Sequence, residues 1–268
     1  MAESRSTVPA DVAVGTGVGV FSGAFGVGGG LMLVPFLVLA RKVPQKAAQA
    51  TSLVMVSMAA LAGALRYAFG ESVAWLPAVF VTVGGLAGAY LGAHIVQRSK
   101  NATLQALFGG LVVIAGVRML WPHSEVASAA SQLPDLTIGT GAGYVAAGLG
   151  MGLLSALFGI GGGILLVPVL VAVFGFSQQL AAGTSLAVMV PISIVGAVRL
   201  SKPGLTDWRQ GSRFGLGAII GAVIGASIAL AISGSALRIA FALLMLMVGG
   251  RMSWSAMRSA RSQDSDRL

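Results

Sequence analysis

No cysteine occurs in the 268 residues, which excludes disulfides and thiolate metal sites. Histidine is nearly as scarce: His94 and His123 stand far apart with no carboxylate beside them, so an ordinary zinc site is not expected. Charge is rare too, at 9% of residues against about a quarter in a water-soluble domain. The carboxylates, Glu3, Asp11, Glu71, Glu125, Asp135, Asp207, Asp264 and Asp266, all fall at termini, linkers or the ends of apolar segments. A cation exchanger or proton antiporter built on a buried Asp or Glu is therefore disfavoured. No Ser/His/Asp set, no HExxH and no GxxxxGK[ST] string occurs, so the chain is not read as an enzyme and no cofactor is expected.

What fills the chain is apolar: 56% hydrophobic residues and a mean hydropathy of +0.90 define an all-α polytopic membrane protein, with the lipid bilayer as its solvent. The formal charge of +9 would suggest nucleic acid in a soluble protein. Here the Lys and Arg sit in short loops and the tail, where they act as orientation signals, and nucleic acid is discounted. The polar residues 1–10 precede an apolar run that holds half of an internal repeat, so that run is expected to be retained rather than cleaved.

The repeat is explicit. FGVGGG at 25–30 returns as FGIGGG at 158–163, each followed by a proline, Pro35 and Pro168. A constant offset of 133, without a gap, pairs Ser22 with Ser155, Gln45 with Gln178, Thr51-Ser52-Leu53 with Thr184-Ser185-Leu186, Arg66 with Arg199, and Trp75 with Trp208. It continues through Gly84/Gly217, Gly88/Gly221, Gly92/Gly225 and Arg118/Arg251. Two homologous halves follow, residues 1–120 and 137–268, the latter with a basic tail, joined by a linker at 121–136.

Each half offers four apolar segments: about 11–40, 44–68, 73–97 and 101–120, then 136–174, 178–200, 209–232 and 235–256. The last three of each fit single spanning helices of about 20 residues. Gly-x-x-x-Gly spacing at Gly84, Gly88 and Gly92, and at Gly217, Gly221 and Gly225, reads as close helix packing rather than substrate contact. The first segment of each half is longer and interrupted by glycines, as a broken or re-entrant helix would be. If both re-enter, Arg41, Lys42 and Lys46 join the two termini on one face and leave only Arg66, Arg118 and Arg238 on the other. That bias places the termini in the cytoplasm and makes the halves inverted repeats about a pseudo-two-fold.

Irregular backbone at membrane depth persists only where it is buried in protein or lines a cavity, so the glycine breaks mark the candidate site. Half-helices starting near Leu31 and Ile164 would aim free amides at the centre, which suits a small anionic substrate. The candidate binding residues are Gly28, Gly29 and Gly30 with Gly161, Gly162 and Gly163; the bland alternative is that these glycines only let helices approach. Thr51, Ser52, Thr184 and Ser185 place paired hydroxyls nearby, with ordinary back-bonding an equal alternative, and Ser22 and Ser155 are weaker candidates. Arg66 and Arg199 end equivalent segments, where snorkelling is the default and an electropositive vestibule the sharper reading. His94 is unmatched, facing Ser227 in the alignment, and is read as interfacial before it is read as a proton relay.

FGVGGGLMLVPFL with ATSL downstream, and FGIGGGILLVPVL with GTSL downstream, resemble the duplicated signature of the sulfite exporter TauE/SafE family over nearly the whole chain. The resemblance implies a permease of the bacterial or archaeal inner membrane that moves small sulfur-containing anions, such as sulfite or sulfonates including sulfoacetate, often by export. It places the glycine breaks and the Thr-Ser pairs on the substrate path. The rival readings are an anion channel, a carrier of a non-sulfur organic anion, and a membrane scaffold without flux; a homo-oligomer is compatible with each.

Overall fold

The computed structural model describes residues 8–96, 110, 113–114, 116–117, 119–120, 137–158, 162–201, 204–247 and 250. The linker at 121–136, Gly161, the side chain of His94 and the residues beyond 250 lie outside that set, as do Arg98 and Arg118.

Among the described residues all regular structure is helical. Half one contains α1 (Val8–Phe25), α2 (Gly30–Leu39), α3 (Gln45–Phe69) and α4 (Trp75–Val96). Half two contains α5 (Ile138–Phe158), α6 (Gly163–Ala172), α7 (Gln178–Ser201) and α8 (Trp208–Ala231), followed by α9 (Gly234–Met247). Helices α1, α3, α7 and α8 are each long and apolar enough to cross a membrane. Their starts are locally encoded. Pro9 occupies the first turn of α1, where its missing N–H costs nothing; Pro44 stands at the N-cap position of α3 without a side-chain bond; and Asp207 Oδ1 accepts from the Gln210 N–H at 2.8 Å to cap α8.

Small residues decide which helices touch. A methyl built on Gly15, Gly19 or Gly23 of α1 would collide with the backbone of Phe214, Ala218 or Ala222 on α8. Methyls on Gly217, Gly221 and Gly225 would collide in turn with Val12, Thr16 and Val20. The same reciprocal seam joins α4 to α5, where Gly84 and Gly88 abut Val145 and Leu149, and Gly148 and Gly152 abut Val81 and Gly85. Backbones this close make contact by dispersion and Cα–H···O interactions that any larger side chain would prevent. The first helix of each half thus packs on the fourth helix of the other. Of the glycines read from the sequence as packing residues, Gly84, Gly88, Gly217, Gly221 and Gly225 pack in these seams, while the contacts of Gly92 lie outside the described set.

These pairs also set directions. Residue numbers rise together along α1 and α8, and along α4 and α5, so each pair runs in the same sense. Tyr67 Oη of α3 donates to Gly23 O of α1 at 3.0 Å, and Met55 and Val18 meet at Gly29, so α1 and α3 also run together. Leu53 meets Gly196 while Gly63 meets Leu186, so α3 and α7 are opposed. Gly85 meets Ile192 and Ala74 meets Thr184, so α7 runs with α4, hence with α5. Helices α1 and α5 therefore run in opposite senses, as halves of inverted topology require.

Both first segments turn back. The chain leaves α1 at Phe25 and re-forms helix at Gly30; by Arg41 it is again beside Asp11 in the first turn of α1, with Arg41 Nη2 donating to Asp11 Oδ1 at 2.9 Å. In half two, Phe174 beyond the end of α6 stacks on Tyr144 near the start of α5, ring centroids 4.3 Å apart. Two helical hairpins thus enter the molecule from opposite ends, each clasped at its mouth by residues equivalent under the offset of 133, an ion pair in one and two rings in the other.

Candidate functional site

Each hairpin tip is built by glycine. Gly29 and Gly162 are the N-caps of α2 and α6, with φ of 68° and 74°. A side chain at either would be strained in that left-handed region. No side chain caps either helix, so the first-turn amides are left to backbone and to whatever occupies the centre. Pro35 and Pro168 lie in the second turn of these ten-residue helices, removing one donor each and leaving the carbonyls of Leu31 and Ile164 without the usual helical partner. Both short helices are therefore weak on their own and owe their place to packing.

The tips meet. Gly28 faces Met189 and Val56, at the middle of α7 and α3. Gly163 lies against the same Met189, against Ser185 Oγ and against the carbonyl of Gly26 from the opposite hairpin. Ser185 Oγ donates to Gly26 O at 2.9 Å and so ties α7 to the first break. Around Gly29 stand Val18, Met55 and Ser22, and around Gly162 stands Met151. The centre is lined by three thioethers, two valines, two hydroxyls and backbone. Among the described residues the only buried charged side chain is Asp11, at the hairpin mouth; no Lys or Arg is buried.

Of the residues singled out from the sequence, Gly28, Gly29, Gly30, Gly162, Gly163, Ser22 and Ser185 come together here, all buried. Ser155 is 6% exposed on α5, equivalent in position to Ser22. Ser52 Oγ back-bonds to Gln49 O at 2.8 Å. The two threonines brace the frame through their acceptor lone pairs, which leaves each O–H free to donate. Thr51 Oγ1 accepts from Asp207 N at 3.2 Å and Thr184 Oγ1 accepts from Ala74 N at 2.9 Å, so each anchors the residue just before the fourth helix of the opposite half, α8 or α4. Arg66 Nε donates to Ser227 Oγ at 2.8 Å, while the Arg199 guanidinium lies 4.6 Å from the Tyr90 ring centroid. Because α3 and α7 are opposed, these arginines lie at opposite ends of the molecule, away from the tips.

Sequence reasoning missed four contributors. The ion pair of Asp11 with Arg41 and the stack of Tyr144 on Phe174 were detectable as unlike pairs at equivalent positions. Tyr67, which has no tyrosine counterpart at Leu200, gives its hydroxyl to the last carbonyls of α1. Met55, Met151 and Met189 carried no signal, since methionine in an apolar run is ordinary core.

Paired opposing hairpins that expose uncapped helix starts to each other in an apolar helical bundle define a polytopic membrane protein of the transporter class. The model of the sulfite exporter TauE/SafE family matches residues 1–119 and 144–267, and the chain belongs to that family. A probable membrane transporter protein of Xylella fastidiosa (strain 9a5c) is 30% identical over 253 residues, covering 92% of this chain and 96% of its own. The probable membrane transporter protein YunE of Bacillus subtilis is 24% identical over 267 residues, covering 92% and 98%. A probable membrane transporter protein of Methanocaldococcus jannaschii is 27% identical over 199 residues, covering 71% of each chain. No solved structure matches. The chain is thus a multi-pass membrane transporter.

Proposed function

We propose that this transporter is a secondary carrier of small sulfur-containing oxyanions, such as sulfite or a sulfonate, held between the two hairpin tips and exported across a bacterial or archaeal inner membrane with both termini in the cytoplasm. The observation that carries the reading is the meeting of two uncapped helix starts, α2 at Gly30 and α6 at Gly163, around Met189 and Ser185. Backbone amides and the positive ends of helix dipoles favour an oxyanion there without a buried cation. The domain plan that fits is one integrated transmembrane unit, with halves 1–120 and 137–268 moving against each other. Opposed hairpins then open to opposite faces in turn.

The test is uptake of radiolabelled sulfite into proteoliposomes. A carrier gives saturable flux and accelerated exchange when unlabelled sulfite is loaded inside, whereas a channel gives neither. Gly29→Val and Gly162→Val should each abolish flux in protein that still purifies as a folded species. Flux that survives both substitutions would remove the tips from the path.

A further inference from the structure

We infer that the central site selects an anion with a single negative charge and rejects a dianion of the same shape. This inference rests on the anion-carrier reading and narrows its substrate class.

The first observation is Ser22. Its side chain is fully buried, its Oγ has no hydrogen-bond partner, and its Cβ lies 3.4 Å from a Cβ built on Gly29, the cap of α2. A buried hydroxyl without a partner, standing against an uncapped helix start, is a donor waiting for an acceptor. At the opposite helix start the Gly26 carbonyl lies against Gly163 and brings its own partial negative charge there. On the α2 side Gly30 N–H donates to Gly28 O at 2.8 Å and Met32 N–H to Gly29 O at 3.1 Å, which places the inferred anion between Ser22 Oγ and the Leu31 amide.

The second observation is what the centre can neutralise. No Lys or Arg is buried among the described residues, and the buried Asp11 is matched by Arg41. Asp11 lies three turns before Ser22 on α1, about 16 Å along the helix axis. What remains is two helix starts, each equivalent to about half an elementary charge and each partly offset by a carbonyl, Gly28 O at α2 and Gly26 O at α6. Their sum is about one positive charge at most. Attraction to fixed dipoles grows in proportion to an ion's charge, whereas the cost of removing it from water grows as the square. A second negative charge thus doubles the gain and quadruples the cost. Hydrogensulfite and simple sulfonates fit this balance, while sulfate, fully ionised sulfite and sulfoacetate with its added carboxylate do not.

Three tetrahedral sulfur compounds of similar size separate charge from shape: dimethyl sulfone is neutral, methanesulfonate carries one charge and sulfate carries two. The measurement is the melting temperature of the detergent-purified full chain against a titration of each at matched sodium concentration. Methanesulfonate is expected to raise the melting temperature saturably, with sulfate and dimethyl sulfone leaving it unchanged over the same range. Ser22→Ala should weaken the methanesulfonate midpoint about tenfold, as loss of one hydrogen bond to a charged group does. A sulfate shift equal to or larger than that of methanesulfonate overturns the single-charge inference and leaves the anion site standing. An unchanged midpoint in Ser22→Ala overturns the place given to that hydroxyl. No shift with either anion in folded protein overturns the anion-carrier reading itself.

Discussion

Replacing Arg41 with alanine should be among the most damaging single changes on the hairpin mouths. Asp11 is fully buried and its Oδ2 already lacks a partner, so the 2.9 Å bond from Arg41 to Oδ1 is what compensates that carboxylate. Removing one partner of a buried ion pair costs about 3–5 kcal/mol, because the other is stranded. The Arg41 side chain keeps 15% exposure, which puts the expected loss near the low end, about 3 kcal/mol. At roughly 2–4 °C per kcal/mol, the melting temperature should fall on the order of 10 °C. The double variant Asp11→Tyr with Arg41→Phe copies the clasp of the other hairpin, in which Tyr144 and Phe174 stack at 4.3 Å. Well-packed apolar groups replace a buried ion pair at little cost, and an aromatic pair adds about 0.5–1.5 kcal/mol beyond its buried area. The double variant should therefore recover most of the loss. Differential scanning fluorimetry in detergent reads both numbers. A single variant within 2 °C of wild type, or a double variant as unstable as the single, would refute the account of the two clasps as interchangeable fasteners.

Three further outcomes follow from the packing. Gly217→Ala drives a methyl into the backbone of Val12 and Thr16 and should cost about 1–3 kcal/mol or prevent folding, whereas Gly17→Ala points into open space and should be neutral to stabilising by up to about 1 kcal/mol; thermal stability of the pair checks the seam. Ser185→Ala leaves Gly26 O without its 2.9 Å donor and should lower stability by about 1–3 kcal/mol while slowing flux, and wild-type flux in that variant would separate Ser185 from the path. Thr184→Val strands the buried Ala74 N–H and should cost about 1–3 kcal/mol, whereas Thr51→Val frees the N–H of the exposed Asp207 to water and should cost less; equal losses would contradict the difference in burial between the two bonds.

Much of this architecture is legible before any fold is known, for identifiable reasons. Composition declares the bilayer, because a chain with 9% charged residues has no polar surface to show to water. Period declares the halves, and charge placement favours re-entry, since Arg41, Lys42 and Lys46 would otherwise face the wrong side. The glycine breaks declare an interrupted helix because GGG and a following proline disfavour a uniform one. The threonines show where such reading stops. Thr51 and Thr184 repeat as faithfully as the glycines, and their hydroxyls accept from the residues before α8 and α4, a bracing role across the halves that repetition along the chain does not reveal.

The sequence by itself therefore determined the class, the duplication, the backbone breaks and the residues able to pack tightly, because each is local: a property of a residue type or of a spacing along the chain. Tertiary structure alone decided the pairings across the halves, α1 on α8 and α4 on α5, and with them the meeting of the two tips at Met189 and Ser185. It alone decided that Asp11 is buried against Arg41 while the equivalent pair is aromatic, and that Ser22 is left without a partner beside Gly29. Those facts depend on which surfaces are brought within a few ångströms from positions more than a hundred residues apart. No local preference of the chain encodes that distance.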